Sequence, residues 1–132
     1  MATLTPTLTL TSTDLTSDSL SISVTDSLSV KAPFITAANK VANANGGSKV
    51  DLDVAGSGNK FVYVKHTGFQ ADGTTATTNK LEVFVLEGAA EDIGRLSAGE
   101  FLFIPVLSAN KVQVVSNDSH QIQVEYAFFT LA

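Results

Sequence analysis

The side chains with catalytic potential are few and scattered in this sequence of 132 residues. His66 and His120 are its only histidines, and neither has a second good ligand at the spacing of a metal site. Serine and aspartate are abundant, but no G-x-S-x-G motif marks a nucleophile for a Ser-His-Asp arrangement. We therefore interpret His66 as a surface or hydrogen-bonded side chain, and we predict that the chain is not an enzyme.

Asp51 and Asp53 are the one pair of carboxylates with a suggestive spacing, in the run KVDLDV. A strand places both on one face, where a hard cation such as calcium finds oxygen ligands. We favour the ordinary interpretation, the solvated face of a half-buried strand, with a bound ion as the alternative, and we predict no metal and no cofactor. Gly56-Ser57-Gly58 lacks the helix and lysine of a phosphate loop. Asn117-Asp118-Ser119 fits a glycosylation sequon but is better interpreted as a hairpin turn.

Composition and charge indicate one globular domain with a packed core. The chain is 44% apolar and has no cysteine, so its fold depends on packing without disulfides. Its net charge of −5 opposes binding to a nucleic-acid backbone, and no apolar run approaches the roughly 20 residues of a membrane helix. The opening MATLTPTLTL has no Lys or Arg and no continuous apolar core, so we expect no secretory signal. We predict neither a nucleic acid nor a membrane as a partner.

The runs KFVYVKHT and KLEVFVLE in residues 60–86 predict a central antiparallel pair of strands, joined by a polar insert. In the first run, Val62, Val64 and His66 share one face, opposite a face with two aromatic residues. Neither run alternates cleanly between apolar and polar residues. We therefore expect both faces of these strands to be partly covered, by a second sheet or by another subunit.

The first 30 residues differ from the rest, because half of them are Thr or Ser and none is Lys or Arg. Their apolar residues recur at even positions, beginning with Leu4, Leu8 and Leu10, which is typical of strands with one buried face. Pro6 limits the first strand to an edge or an irregular position. We predict that residues 1–30 form an extended arm or first hairpin, packed on its own domain or on a neighbour, and we favour partial engagement with a neighbour.

Residues 31–132 predict a β-sandwich domain. Asn45-Gly46-Gly47 is a strong turn signal, and the segment Gly88 to Gly99 is the one place where a short helical turn is plausible. The final run QIQVEYAFFTLA predicts a strand whose end is apolar on both faces. Eight or more strands separated by polar turns favour an all-β fold, an antiparallel β-sandwich or jelly roll.

Three phrases carry a resemblance to a known class of proteins. MATLTPTLTLTS, SDSLSISVTDSLSV and KFVYVKHTG resemble small virion structural proteins of tailed bacteriophages, especially marine cyanobacterial phages. The resemblance covers the first half of the chain as phrases and the remainder as a β-rich pattern. It implies a non-enzymatic protein present in repeated copies, with a trimer favoured. The implied partners are the major capsid protein and other copies of the chain, and the implied location is the virion, assembled in the host cytoplasm.

We predict a capsid decoration (cement) subunit that binds the outer shell between capsomers and stabilises it. A tail or fibre component is the structural alternative. A carbohydrate-binding β-sandwich module is the alternative of another class, which the lack of Trp disfavours. The predicted shell or subunit contacts are Leu4, Leu8, Leu10, Phe128, Phe129 and Leu131.

Overall fold

Apolar and polar residues alternate through much of this sequence, which is typical of strands, and the structure consists of strands. The computed structural model describes residues 1–14, 18–52 and 58–132, and all of their side chains except those of residues 32–37. Within these ranges the chain forms eleven strands and no helix. The strands are β1 (Ala2–Leu4), β2 (Thr7–Ser12), β3 (Leu20–Thr25), β4 (Leu28–Ala42), β5 (Val50–Asp51), β6 (Lys60–Gln70), β7 (Leu81–Glu87), β8 (Ala89–Leu96), β9 (Phe101–Val106), β10 (Lys111–Ser116) and β11 (Ile122–Leu131).

The strands form two packed sheets and a separate hairpin. The first sheet has the order β1-β4-β11-β6-β9, the second has the order β5-β10-β7-β8, and β2 pairs with β3 alone among the described strands. Each of these pairings is antiparallel. The prediction of an all-β antiparallel sandwich is therefore confirmed.

The core lies between the inner faces of the two sheets. Val62 and Val64 of β6 meet Leu81 of β7 and Val112 and Val114 of β10 in one cluster, and all five are fully buried. They lie two residues apart along each strand because successive side chains point to opposite faces. Each buried aliphatic side chain of this kind contributes about 1.5–3 kcal/mol through removal from water.

Three sequence predictions about local structure are wrong. Strands β6 and β7 are not a pair: β6 lies between β11 and β9, β7 lies between β10 and β8, and residues 71–80 cross from one sheet to the other. The predicted helical turn at Gly88–Gly99 is strand β8, which pairs with β7. Because β8 is an edge strand with mostly exposed residues, it lacks the apolar period that marks a buried strand. Asn117-Asp118-Ser119 joins strands of different sheets, so it is not a hairpin turn.

The predicted turn at Asn45-Gly46-Gly47 is confirmed. Residues 45 and 46 form a turn two residues after the end of β4, and Gly46 has a φ of 84°. The Gly47 amide closes it by donating to the Ala44 carbonyl at 3.0 Å. Glycine takes this left-handed conformation at little cost, which explains its position here.

The N-terminal region forms one hairpin with a break in it. β1 pairs with β4, and β2 pairs with β3, in a single register that does not slip between the two ladders. Pro6 lies at the break because it has no backbone N–H to add to the ladder. The Asp26 amide donates to the Pro6 carbonyl at 3.1 Å and keeps the two chain segments together. Thus β1 belongs to the sandwich, whereas β2 and β3, which we call the arm, extend beyond it.

Candidate interaction surface

One face of the arm is apolar and exposed. Leu8 pairs with Val24, and Leu10 pairs with Ile22, so the four side chains lie together on that face. Between 42% and 58% of each residue is exposed. The opposite face consists of threonine and serine, and neither strand of the arm contains an ionisable side chain. The arm therefore presents an uncharged apolar patch of two opposed pairs.

The outer face of the first sheet is aromatic. Phe61 of β6 stacks on Phe103 of β9 with ring centroids 5.1 Å apart, and Phe129 of β11 meets the edge of Phe103 at 6.3 Å. Tyr63 lies 6.2 Å from Phe101, whose surface is 61% exposed. These rings belong to the odd-numbered positions that the core does not use. The predicted cover of this face by another subunit stays a prediction.

A groove joins the arm to this aromatic face. Leu8 and Val24, at the base of the arm, line it together with Phe61, Phe101 and Phe103 of the sheet, and its volume is about 520 Å³. The patch on the arm and the aromatic face are thus continuous. We call the two together the apolar surface.

A hydrogen bond lies beside the aromatic rings. The Tyr63 hydroxyl donates to Glu125 Oε1 at 3.0 Å. Partial burial, and then the neighbouring Glu125 carboxylate, raise the pKa of Tyr63 above its ordinary value. The neutral phenol is the donor of this hydrogen bond, which orients the Tyr63 ring on the outer face.

The three contact residues predicted in the N-terminal region lie in different surroundings. Leu8 and Leu10 are exposed on the arm, and Leu4 is half-buried in β1, where it pairs with Leu28. Sequence analysis did not single out Ile22 and Val24 as contact residues. Ile22 and Val24 follow the same alternation as Leu8 and Leu10. Only the strand register shows that they lie opposite these leucines on the same face.

The three predicted C-terminal contact residues also differ in burial. Phe128 is 6% exposed and belongs to the core cluster, where its ring meets that of Tyr126. The prediction that Phe128 contacts a partner is therefore wrong, because the inner face of β11 is covered by the second sheet. Phe129 and Leu131 are half-buried, and Phe129 contributes to the aromatic face.

His66 is completely buried and has two backbone partners. Its Nδ1 accepts from the Gly68 amide at 2.9 Å, so its Nε2 carries the proton and donates to the Asn79 carbonyl at 2.9 Å. Both ring nitrogens are used to hold the end of β6 against residues 77–80. Of the two interpretations offered for His66, a surface or a hydrogen-bonded side chain, the hydrogen-bonded one is confirmed, and the side chain lies on the buried face with Val62 and Val64.

His120, Ser119 and Asp72 line one shallow pocket of about 350 Å³. The hydroxyl of Ser119 lies 3.2 Å from Nδ1 of His120, its neighbour in sequence. The Asp72 carboxylate is occupied within its own turn. It accepts from the Thr75 hydroxyl and from the amides of Thr74 and Thr75, and these bonds lower its pKa from 3.8 to about 2. Asp72 is thus bonded within its own turn, while the His120 ring meets the hydroxyl of Ser119.

Asp51 is held by side chains of β10. Its carboxylate accepts from Gln113 Nε2 at 2.6 Å and from Lys111 Nζ at 3.0 Å. The bond from Gln113, followed by that from Lys111, holds the pKa of Asp51 below its usual value. Asp53, the second carboxylate of the predicted pair, lies outside the described residues, as do residues 56 and 57. In the part of the chain that is described, no three acidic or histidine side chains form a group that would hold a metal ion.

None of the described segments is a helix with the length and apolar character needed to cross a membrane. No family model matches the chain, and no curated protein matches it.

Proposed function

We propose that this chain is a non-enzymatic structural protein of a tailed-phage virion, a capsid decoration subunit that binds the outer shell and stabilises it. The observation that carries the proposal is the arm, which places four half-exposed aliphatic side chains beyond the folded sandwich. Monomeric proteins rarely expose an apolar patch of more than a few hundred Å², and larger ones mark contacts with other molecules. The resemblance to small virion structural proteins of tailed phages suggests that these contacts are made with a capsid.

The mechanism is adhesion at many equivalent sites. Each subunit adds a modest contact between capsomers, and because the sites repeat by symmetry, the contacts act together against expansion of the shell. In this mechanism the sandwich is the rigid folded domain, and the apolar surface makes the contacts with the shell. The proposed partners are the major capsid protein and other copies of the chain, and the proposed location is the virion, assembled in the host cytoplasm.

A count of chains in purified particles tests this proposal. We expect a fixed ratio to the major capsid protein, and tagged chains visible on the head. A tag seen only on the tail would favour the tail or fibre alternative. Particles that contain no copy of the chain would contradict both structural assignments.

A carbohydrate-binding module is the candidate of another class, and one observation favours it. Phe101 is mostly exposed beside Tyr63, as aromatic rings are when they stack on a sugar face. Phenylalanine has no polar handle, however, and the only polar partner of Tyr63 among the described side chains is Glu125. A glycan array with a Phe101→Ala control would detect such binding, and loss of a signal in the variant would support this candidate.

A further inference from the structure

We propose that the apolar face of the arm packs against the same face of a second copy of this chain. This rests on the proposed function, because it names one partner of the surface on which adhesion depends. Since the same patch meets itself, the contact is isologous and closes at two copies. The trimer favoured by the resemblance would use other contacts, and pairing of arms would then join two trimers.

The first argument is that the arm has too little structure to keep this face in water. A two-stranded hairpin without a covering layer is marginally stable at best. β2 and β3 pair only with each other among the described strands, yet aliphatic and hydroxyl side chains alternate in both, from Thr7 to Thr11 and from Leu20 to Thr25. Alternation of this kind is typical of strands with one covered face. A second layer on the apolar face would supply the missing cover.

The second argument is area. About half of Leu8, Leu10, Ile22 and Val24 is exposed. Together these four residues present on the order of 400 Å² of surface, about half of the roughly 800 Å² per partner in a stable interface. The backbone and hydroxyl groups at the rim of the arm would make up much of the remainder. The patch is therefore large enough for the centre of a dimer contact.

The third argument is charge. The chain carries −5, and a basic partner would be recognised through its acidic residues. The strands of the arm have no ionisable side chain, so no such recognition is possible on this face. The strands themselves therefore bring no like charges into contact, although Asp26 lines the groove at the base of the arm. The chemical match is another uncharged aliphatic face, and every copy of the chain carries one.

The fourth argument is shape. Each arm offers two opposed pairs, Leu8 with Val24 and Leu10 with Ile22, in which a γ-branched side chain faces a β-branched one. Two such faces stacked about a two-fold axis parallel to the strands set the leucines of one copy against the β-branched residues of the other. Stacked sheets lie about 10 Å apart, which these side chains fill.

The experiment measures the mass of the full chain by sedimentation equilibrium, beside two matched variants. Leu10→Asp with Ile22→Asp places charges on the apolar face, and Thr9→Asp with Ser23→Asp places the same charges on the hydroxyl face. We expect the unaltered chain and the hydroxyl-face variant to associate in even multiples. We expect the apolar-face variant to bind roughly a hundredfold more weakly or worse, because carboxylates would be buried against each other.

A second readout does not depend on the strength of association. The chain has no cysteine, so Leu10→Cys and Thr9→Cys each create a unique thiol. A short bis-maleimide should join two Leu10→Cys chains and leave Thr9→Cys chains single. An unaltered chain that is monomeric, an association that ignores the apolar-face charges, an arm-dependent trimer, or equal cross-linking of both thiols would each overturn the proposal.

Shell binding is measured separately, so the two proposals fail separately. Arms that pair while the chain binds no shell would remove the capsid assignment and leave arm pairing intact. Shell binding by a chain whose arms do not pair would remove arm pairing and leave the capsid assignment intact.

Discussion

Leu10 and Ile22 lie directly opposite each other on the arm, and nearly half of each is exposed, at 46% and 42%. Further down the same hairpin, Val30 is 2% exposed, although it follows the same alternation. One apolar stripe therefore begins in the sandwich and ends in solvent. The exposed end is what needs an explanation, and the proposed contact with other protein would provide one.

Removal of the arm should leave the sandwich folded. Because the Asp26 amide already donates to the Pro6 carbonyl, an Asn-Gly turn can replace residues 7–25 and close the hairpin at that pair. We expect a cooperative melt within about 3 °C of that of the full chain, since the core residues are untouched. Circular dichroism measures this, and a chain without a cooperative transition would show that the arm is part of the folding unit.

Two leucines in different surroundings should respond very differently to truncation. Leu81 is fully buried, and Leu81→Ala should lower the free energy of unfolding by about 2–5 kcal/mol through lost transfer energy and a cavity. Leu107 is 56% exposed, and Leu107→Ala should change it by no more than about 0.5 kcal/mol. Urea unfolding compares the two. Equal effects would contradict the placement of the core between the sheets.

His66→Leu should destabilise the protein without any involvement in chemistry. The change leaves the Gly68 amide and the Asn79 carbonyl without their partners, which costs about 1–3 kcal/mol because both groups are only partly buried. His120→Leu is the matched control, since His120 is exposed, and its effect should stay within about 0.5 kcal/mol. A stable His66→Leu variant would show that this end of β6 is not held by the imidazole.

Asp72 should contribute to stability in a pH-dependent way. Its pKa in the folded chain is lowered to about 2, so the folded state favours the carboxylate. The contribution is present above the ordinary pKa near 4 and is lost as the pH falls through about 2. Asp72→Asn keeps an acceptor oxygen but cannot titrate. The difference in urea midpoint between the two chains should therefore shrink from pH 5 to pH 2, and a constant difference would contradict the assignment.

The sequence was informative wherever one face of a strand is buried. Alternation identified β6, β11 and the apolar stripe of the arm, because the side-chain period of a strand is two. It did not identify β8, an edge strand in which Gly94 and exposed polar residues remove that period. It also paired β6 with β7, since a hairpin and a crossing between sheets have the same local sequence pattern.

Only part of the candidate interaction surface could be predicted from the sequence. Leu8 and Leu10 followed from alternation alone. Phe101 and Phe103 required the pairing of β6 with β9, which brings distant residues together and has no local signal. Phe128 was misassigned because both faces of the last strand are apolar, and only the sheet order tells which face is covered by the core.

Cosedimentation with phage shells that lack the chain tests the adhesive role of the arm most directly. The full chain and the chain with Asn-Gly in place of residues 7–25 are mixed with the same shells. We predict that the full chain pellets to a saturating ratio with the major capsid protein, while the shortened chain stays in the supernatant. Equal pelleting of both chains, or pelleting of neither, would contradict it.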